Sequence, residues 1–488
     1  MTNLRIRIGS VPAVAVLFWL MGTVTSSAQT FTTLASFTGA DGRTPESPLV
    51  QGFDGNLYGT TINGGSDDDG TIFKITPNGT LTTIYSFCAQ TNCTDGSSPF
   101  AGLVLANDGS FYGMTSDGGA YCLPAGGCGT VFKITADGTL TTIYSFCAQA
   151  GCPDGESPIA ALIQGRDGVL YGTTPYGGTG MKGCNEGTTS CGVVFKITMD
   201  GKLTTLHTFC DKTGCPDGDA PAGSLLQADD GSFYGTTPFG GAKGHGVIFR
   251  IASDGKFTTE FSFDGTDGSQ PEDGLIQSAS GNFYGTTYRG GGHRTGTVFK
   301  FTPAGRYTEL YAFCSQTDCK DGGEPVAGVV QATDGNFYGT TPQGGTHSHG
   351  TAFKLTPSGT LTPLHSFDLS DGAEPLGGLF QATDGSLYGT TPYGGTSGDG
   401  TVFRLDVGLG PFVETLPTSG KVQATVEILG TNLTSTTAVT FNGTSAAFTI
   451  VSSSQIKTTV PDGATTGFVT VTTSAGNLKS NTKFQVRP

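Results

Sequence analysis

The sequence predicts an all-β chain: a seven-bladed β-propeller followed by a small β-sandwich. Three observations carry that prediction. The string Tyr-Gly preceded by Leu or Phe recurs seven times, at Tyr58, Tyr112, Tyr171, Tyr234, Tyr284, Tyr338 and Tyr388. Each recurrence brings four strand-like segments, rich in Val, Ile, Phe, Tyr and Thr and bounded by Gly, Asp and Pro. The chain also opens on a lone copy of the fourth segment and ends its array on the third, so one end can complete the other.

The spacings between successive Tyr-Gly strings are 54, 59, 63, 50, 54 and 50 residues, which is the period of a repeat array. Three other strings keep step. Gly-Thr-Val-Phe-Lys places phenylalanines at Phe73, Phe132, Phe195, Phe249, Phe299, Phe353 and Phe403. A Leu-Thr-Thr-Ile-Tyr-Ser-Phe type ends at Phe37, Phe87, Phe146, Phe209, Phe263, Phe313 and Phe367. Asp-Gly-x-x-Pro supplies Pro45, Pro99, Pro158, Pro221, Pro271, Pro325 and Pro375. In the sixth repeat the four segments, A to D, read as Pro325–Ala332, Asn336–Thr341, Thr351–Leu355 and Thr360–Phe367. A and B are joined by turns such as Asp54-Gly55 and Asp334-Gly335, C and D by Asn78-Gly79 and Asp137-Gly138. These residues accept the positive φ of a hairpin. The lone D segment is Phe31–Phe37, and the last C segment is Thr401–Leu405. A linear solenoid, the competing architecture, has no use for that permuted strand.

Composition agrees. Glycine makes up 79 of 488 residues, about twice the usual ~7%, which argues against a helical bundle. The glycines follow no three-residue period, so collagen is excluded. The net charge of −15 and the absence of a basic block disfavour nucleic acid as a partner.

Residues 1–28 read as a secretory signal: Arg5 and Arg7, an apolar run from Val11 to Val24, then Ser26-Ser27-Ala28 before Gln29. The run is shorter than the ~20 residues of a membrane span. The C-terminal Phe484-Gln485-Val486-Arg487-Pro488 offers no hydrophobic tail. The expected location is therefore extracellular or periplasmic, with cell-surface association open and no transmembrane segment after signal removal.

The repeats, over residues 31–406, resemble the GloVer tandem repeat of the "choice-of-anchor" secreted bacterial proteins. The Tyr-Gly-Thr-Thr and Gly-Thr-Val-Phe-Lys-Ile strings carry the resemblance. It implies an exported protein and no particular reaction. The expected propeller spans 29–406, with 31–37 completing the last blade.

Residues 407–488 change character, with Thr, Val and Ser dominant and no Cys. Strands are expected at Thr425–Leu429, Ala438–Phe441, Phe448–Val451, Ile456–Val460 and Gly467–Thr473. The segment resembles an IPT/TIG immunoglobulin-like domain through Pro417-Thr418-Ser419-Gly420, Val426-Glu427-Ile428-Leu429-Gly430-Thr431-Asn432, Val460-Pro461-Asp462-Gly463 and Gly467-Phe468-Val469-Thr470-Val471. The resemblance implies a spacer or attachment module.

Twelve cysteines form six local pairs. Four share Phe-Cys-x4-Cys-x-Asp-Gly: Cys88/Cys93, Cys147/Cys152, Cys210/Cys215 and Cys314/Cys319. Two more, Cys122/Cys128 and Cys184/Cys191, fall between segments B and C. An even count in an exported chain implies disulfides, and the spacings do not fit a zinc site.

Strands in a blade alternate in direction, so the D–A and B–C loops share one face and the A–B and C–D turns the other. Every cysteine pair and every variable Gly-Gly loop lies on the first face, where binding residues on a rigid scaffold are expected. Tyr176, Phe239, Tyr288 and Tyr393 beside Gly-Gly turns would either stack on sugar rings or pack the loop bases. His245, His293, His347 and His349 would form a metal or pH-sensitive site or stay solvated. Asp67, Asp68 and Asp69 offer oxygens to Ca²⁺ or a plain acidic loop. No metal or cofactor is expected. Glu46 and Glu272, followed by Asp273, place carboxylates just after Asp-Gly-x-x-Pro, where other repeats are apolar or small. Such carboxylates facing a central cavity would suit a polysaccharide hydrolase or lyase. No Gly-x-Ser-x-Gly, His-Glu-x-x-His or phosphate loop occurs. The leading expectation is a non-enzymatic protein whose loop face engages an extracellular polysaccharide or surface partner. A structural envelope or matrix repeat protein is the third reading.

Overall fold

The computed structural model describes residues 29–121, 128–179 and 191–487. The expected signal segment, Cys122 and Cys184 lie outside the described residues. Among those described, no helix is long and apolar enough to cross a membrane.

The fold is all-β, with seven four-stranded antiparallel sheets set as propeller blades. In the sixth blade, A is Val330–Gln331, B is Phe337–Thr341, C is Thr351–Leu355 and D is Leu361–Ser366. The seventh blade takes its outer strand from the start of the chain. Thr30–Ser36 pairs antiparallel with Thr401–Asp406, Thr30 opposite Asp406 and Ser36 opposite Thr401. Two further bonds close the ring. Thr390 Oγ1 donates to the Ser47 carbonyl at 3.2 Å, and the Thr383 N–H donates to Gln51 Oε1 at 3.0 Å. A linear solenoid has no such closure.

Strand A is much shorter than the sequence suggests. Only Val330–Gln331 pairs with B; Pro325–Val329 bends at Ala327, its residues alternating between buried and half-buried. Pro325 has no N–H to give, and the bend at Ala327 takes the segment out of register with B.

Each letter of Tyr-Gly-Thr-Thr has a physical cause. The Tyr338 hydroxyl donates to Asp334 of the preceding turn at 3.0 Å. A Cβ added to Gly339 would stand 2.7 Å from Phe353 Cζ, so the Phe ring of strand C lies over bare backbone. Thr340 Oγ1 crosses to the next blade and donates to the Gly377 carbonyl at 3.2 Å. Thr341 Oγ1 donates to the Gln343 carbonyl at 2.9 Å and lies 2.9 Å from the Thr351 hydroxyl. The cross-blade bond recurs from Thr60, Thr173, Thr236, Thr286 and Thr390, and Met114 takes its place in the second blade.

Two more sheets follow. One orders as Glu414–Leu416, Thr425–Leu429, Gln455–Thr459 and Phe448–Ile450. The other orders as Ser419–Lys421, Gly476–Arg487, Gly467–Thr473, Ala438–Phe441 and Thr444–Ala446. Val426, Ile428, Val439, Phe441, Val469 and Phe484 share one buried core. This unit lies on the A–B turns. Ser454 Oγ donates to the Phe53 carbonyl at 2.7 Å, and the Phe412 N–H donates to the Thr383 carbonyl at 3.0 Å. Gln485 Nε2 donates to Asp229 Oδ1 at 2.8 Å. Phe53 and Thr383 belong to the first and seventh blades and Asp229 to the fourth, across the ring. The C-terminal unit therefore bridges the axis on the turn face and leaves the loop face uncovered.

Candidate functional site

On the uncovered face each blade is braced from behind. The four described disulfides are Cys88–Cys93, Cys147–Cys152, Cys210–Cys215 and Cys314–Cys319. Cys128 and Cys191 are disulfide-bonded as well, and their expected partners are the undescribed Cys122 and Cys184. All eight half-cystines of the four loops have φ between 45° and 60°, a region L-residues rarely occupy. The carbonyl of the second cysteine is a double acceptor. That of Cys93 takes the N–H groups of Gly96, in its own loop, and Gly119, in the B–C loop, both at 2.9 Å. In two of the three shorter loops a glycine takes this place: Gly39, at φ 76°, accepts from Gly42 and Gly65, and Gly265, at φ 86°, from Gly291. The disulfide thus braces a left-handed position that two short loops give to glycine and the third to Leu369, at φ 73°, and the cysteine carbonyl ties the D–A loop to the B–C loop.

The aspartates of Asp-Gly-x-x-Pro pin the same loops. Asp95 Oδ2 accepts from the Tyr85 hydroxyl at 2.7 Å and the Ala89 N–H at 3.0 Å. His207 and His365 replace that tyrosine and meet Asp217 and Asp371 at 2.9 and 2.7 Å.

Toward the axis lies a rim of repeated geometry. The residue before each repeat proline has positive φ in all seven blades, from 49° at Ser157 to 59° at Thr44. None is glycine. Their N–H groups reach back to the previous blade's B–C loop, as from Glu324 to the Thr295 carbonyl at 2.7 Å and from Glu374 to that of His349 at 2.8 Å.

The residue two places after each strand B stands on this rim. Tyr176 is bridged to Glu156, Phe239 to Asp219 and Tyr393 to Ala373. Tyr176 and Tyr393 are 43% and 45% exposed, whereas Phe239 is half-buried. Tyr288 sits one place earlier, and Arg289 holds the equivalent position, bridged to Ser269. The Tyr288 hydroxyl donates to Glu324 Oε2 at 3.0 Å, and the Arg289 guanidinium lies 5.1 Å from the Tyr288 ring centre. Sequence reasoning missed Arg289 and Glu324. Aligning the repeats on the rim, rather than on aromatic residues, would have found them.

Glu46 and Glu272 directly follow the repeat prolines of the first and fifth blades, the place held by Phe100, Ile159, Ala222, Val326 and Leu376 in the others. Burial pushes the Glu46 carboxyl up to about 7. Burial raises Glu272 as well, with Glu324 adding to the rise and Arg289 opposing it. Asp273 is committed to the backbone: Oδ1 accepts from the Gly274 N–H at 2.6 Å and Oδ2 from the Gly328 N–H at 2.7 Å. It staples the fifth blade to the sixth.

The loop histidines stay apart. His245 Nδ1 lies 3.0 Å from Ser269 Oγ, and His293 and His347 are exposed. His349 is half-buried, its carbonyl held by Glu374. Among the described residues, the side-chain groups close enough to share a metal ion contain cysteines already in disulfides and no histidine. Of the acidic triplet, Asp68 pairs with Arg43 at 2.5 Å and accepts the Gly64 N–H, while Asp67 accepts from Ser66. Burial and the neighbouring Asp67 and Asp68 raise the Asp69 carboxyl. Two cavities, of about 320 and 250 Å³, lie on the opposite face, between the A–B turns and the C-terminal unit.

A family model described as the Gloeobacter/Verrucomicrobia repeat matches residues 20–184, 183–320 and 317–456. No curated protein matches the chain. Among solved structures, the extracellular domain of a hybrid two-component system from B. thetaiotaomicron is 12% identical, over 77% of this chain and 39% of that one, with a TM-score of 0.47. This chain thus spans well under half of that domain. A fungal alcohol oxidase of the AA5 family, in complex with copper, is 12% identical over 94% of this chain and 99% of that one, with a TM-score of 0.50. The PQQ-bound aldose sugar dehydrogenase of Streptomyces coelicolor is 12% identical over 78% and 98%, with a TM-score of 0.38. At such identity the likeness to the oxidase speaks for the fold alone.

Proposed function

We propose that this chain, which belongs to the Gloeobacter/Verrucomicrobia repeat family, is an exported, non-enzymatic binding protein whose loop face engages an extracellular polysaccharide. The observation that carries the reading is the difference between the two faces. One is built of near-uniform turns and bridged by the C-terminal unit. The other presents side chains that change from blade to blade on a backbone that does not. Variable groups on a fixed frame are the usual construction of a recognition surface. In this reading the C-terminal unit is an immunoglobulin-like module of the IPT/TIG kind, which mounts the propeller by its turn face and points the loop face outward.

The test is retention of the folded mature protein on a panel of extracellular polysaccharides, with soluble sugar assayed in the same wells. Retention without sugar release is expected. Release would transfer the loop face to a hydrolase or lyase using Glu272 or Glu46. Absence of both signals would end the polysaccharide reading and turn attention to a surface protein or to self-assembly.

A further inference from the structure

Resting on that reading, we infer that the residues two places after each strand B form one ring of sugar contacts around the axis, and that its ligand is a neutral hexose polymer. The ring is a property of the backbone. In every blade this residue makes an isolated antiparallel bridge to the residue two before the repeat proline. In every blade its carbonyl is also held from behind by the last threonine of strand B. The bonds run from Thr174 to Tyr176 at 2.7 Å, from Thr287 to Arg289 at 2.9 Å and from Thr391 to Tyr393 at 3.0 Å. The remaining four lie between 2.8 and 2.9 Å. Seven side chains are thus presented at one height and in one orientation of the main chain.

What they present is chemically of one kind. Tyr176, Phe239 and Tyr393 are flat rings, suited to the apolar face of a pyranose. Asn63, Asp117, Arg289 and Gln343 end in flat polar groups with two hydrogen-bonding atoms side by side. Two parallel bonds to adjacent hydroxyls are what such a group makes with a vicinal diol, as Arg does with a carboxylate. No aliphatic residue occupies any of the seven positions. Rings and flat polar groups together match a ligand with both CH faces and paired hydroxyls.

Charge chooses among sugar polymers. The rim carries Glu156, Asp219, Glu324 and Glu374 on its bridging and pre-proline positions. Its two cations are already engaged: Arg43 with Asp68 at 2.5 Å, and Arg289 with Tyr288 and in the field of Glu324 and Glu272. A polyuronate or sulfated chain would meet repulsion there, and a neutral one would not.

The experiment is affinity electrophoresis of the mature protein through gels containing a soluble mixed-linkage glucan or polygalacturonate. The glucan is expected to retard it and polygalacturonate to leave it unretarded. Tyr176→Ala with Tyr393→Ala, and separately Asn63→Ala with Gln343→Ala, should each weaken glucan binding about tenfold or more. Val451→Ser, on the exposed surface of the C-terminal unit, should leave it unchanged, and all variants should keep the parent melting temperature. Glucan binding untouched by both double variants would overturn the ring and leave the binding reading standing. Retardation by polygalacturonate instead would overturn the neutral ligand. If the wild type passes both gels but is retained elsewhere on the polysaccharide panel, this inference falls alone; if nothing retains it, the wider reading falls too.

Discussion

The two faces of the propeller obey the same repeat and differ in where packing leaves room. On the turn face, the glycine of five C–D turns, Gly79, Gly138, Gly201, Gly255 and Gly359, approaches the outer strand of the preceding blade. A Cβ on Gly138 would lie 2.5 Å from the Ile84 carbonyl oxygen, and one on Gly201 2.3 Å from that of Ile143. Side chains are excluded there because blade meets blade. On the loop face the main chain is held from below, by the strand B threonines, the loop aspartates and the half-cystines. At the seven rim positions the backbone is fixed by main-chain bridges and by the strand B threonine hydroxyls, bonds that the rim side chains themselves do not make, so these side chains can vary with little cost to the ring. A repeat that shares its packing between blades on one side is free to differ on the other.

The largest blow to this comparison is to open the ring. Thr30–Ser36 is the outer strand of the last blade; Phe37 beside it is fully buried, 5.1 Å from the Phe73 ring. Phe31 stacks on His365 at 3.6 Å. Removing residues 29–37 deletes both rings, each worth about 3–5 kcal/mol when lost from a core. The melting temperature by calorimetry should fall by about 10 °C or more, with both faces losing order together. A fall of only a degree or two would mean that the blades do not depend on closure.

A gentler perturbation should separate the faces. Replacing Cys88 and Cys93 with alanine removes one short cross-link, worth on the order of 2–3 kcal/mol, and leaves an alanine where Cys93 has φ 51°. Amide exchange at Gly96 and Gly119, which donate to the Cys93 carbonyl, should accelerate, while Gly109 in the turn below keeps its protection. Placing glycine at position 93 instead imitates Gly39 of the short loop and should recover about 1 kcal/mol of the loss. Equal destabilisation by alanine and glycine would show that the left-handed conformation is not what the disulfide maintains.

How much of this was legible from residues alone follows from which contacts are local. Strands B, C and D are read within a residue or so because their patterns are short, apolar and bounded by turn residues, and the closing strand shows itself by being out of order. Strand A is overread because Pro325–Val329 has the composition of a strand but bends at Ala327 and pairs with no neighbour in its blade. In the C-terminal unit, Gly476–Arg487 escapes notice because Asn477, Lys479, Asn481 and Thr482 hide its alternation. Glu46 and Glu272 stand out by composition, yet the role of Asp273 as a staple to Gly328 depends on a contact 55 residues away. Arg289 was invisible as a counterpart of Tyr176 until the bridges to Ser269 and Glu156 showed the two positions to be the same.

Glu46, beside the repeat proline of the first blade, gives the loop face a pH dependence opposite in sign to that of turn carboxyls such as Asp108 and Asp334, which are held below the usual carboxylate range. Burial lifts Glu46 to about 7 from 4.5. The folded state therefore holds this proton more tightly than the unfolded chain does. The resulting stability is fully present below pH ~4.5 and is lost as pH rises through about 7. Glu414 of the C-terminal unit, also lifted to about 7 by burial and opposed by its bond from Asn481, acts in the same sense. Raising the pH from 5 to 8 should lower the melting temperature, and Glu46→Gln should remove a part worth on the order of 1–3 kcal/mol. An identical pH slope in the variant would show that Glu46 titrates as a solvated carboxyl.

The smallest expected effect tests whether the blades are equivalent beneath their differing loops. Thr340→Val keeps the shape but removes the hydroxyl that donates to the Gly377 carbonyl, and should cost about 1 kcal/mol. Thr173→Val does the same to the bond with the Gly223 carbonyl, three blade boundaries away around the ring. The two sites share no partner, so the double variant should equal the sum within about 0.5 kcal/mol in urea unfolding. Neither change should alter binding on the loop face, because both lie below the rim threonines. Additive costs with unchanged binding would place all blade-to-blade differences in the rim side chains. A double variant far from the sum would mean that the ring couples distant blades. Variation in one loop would then be felt at every other, and the independence of the two faces would fail.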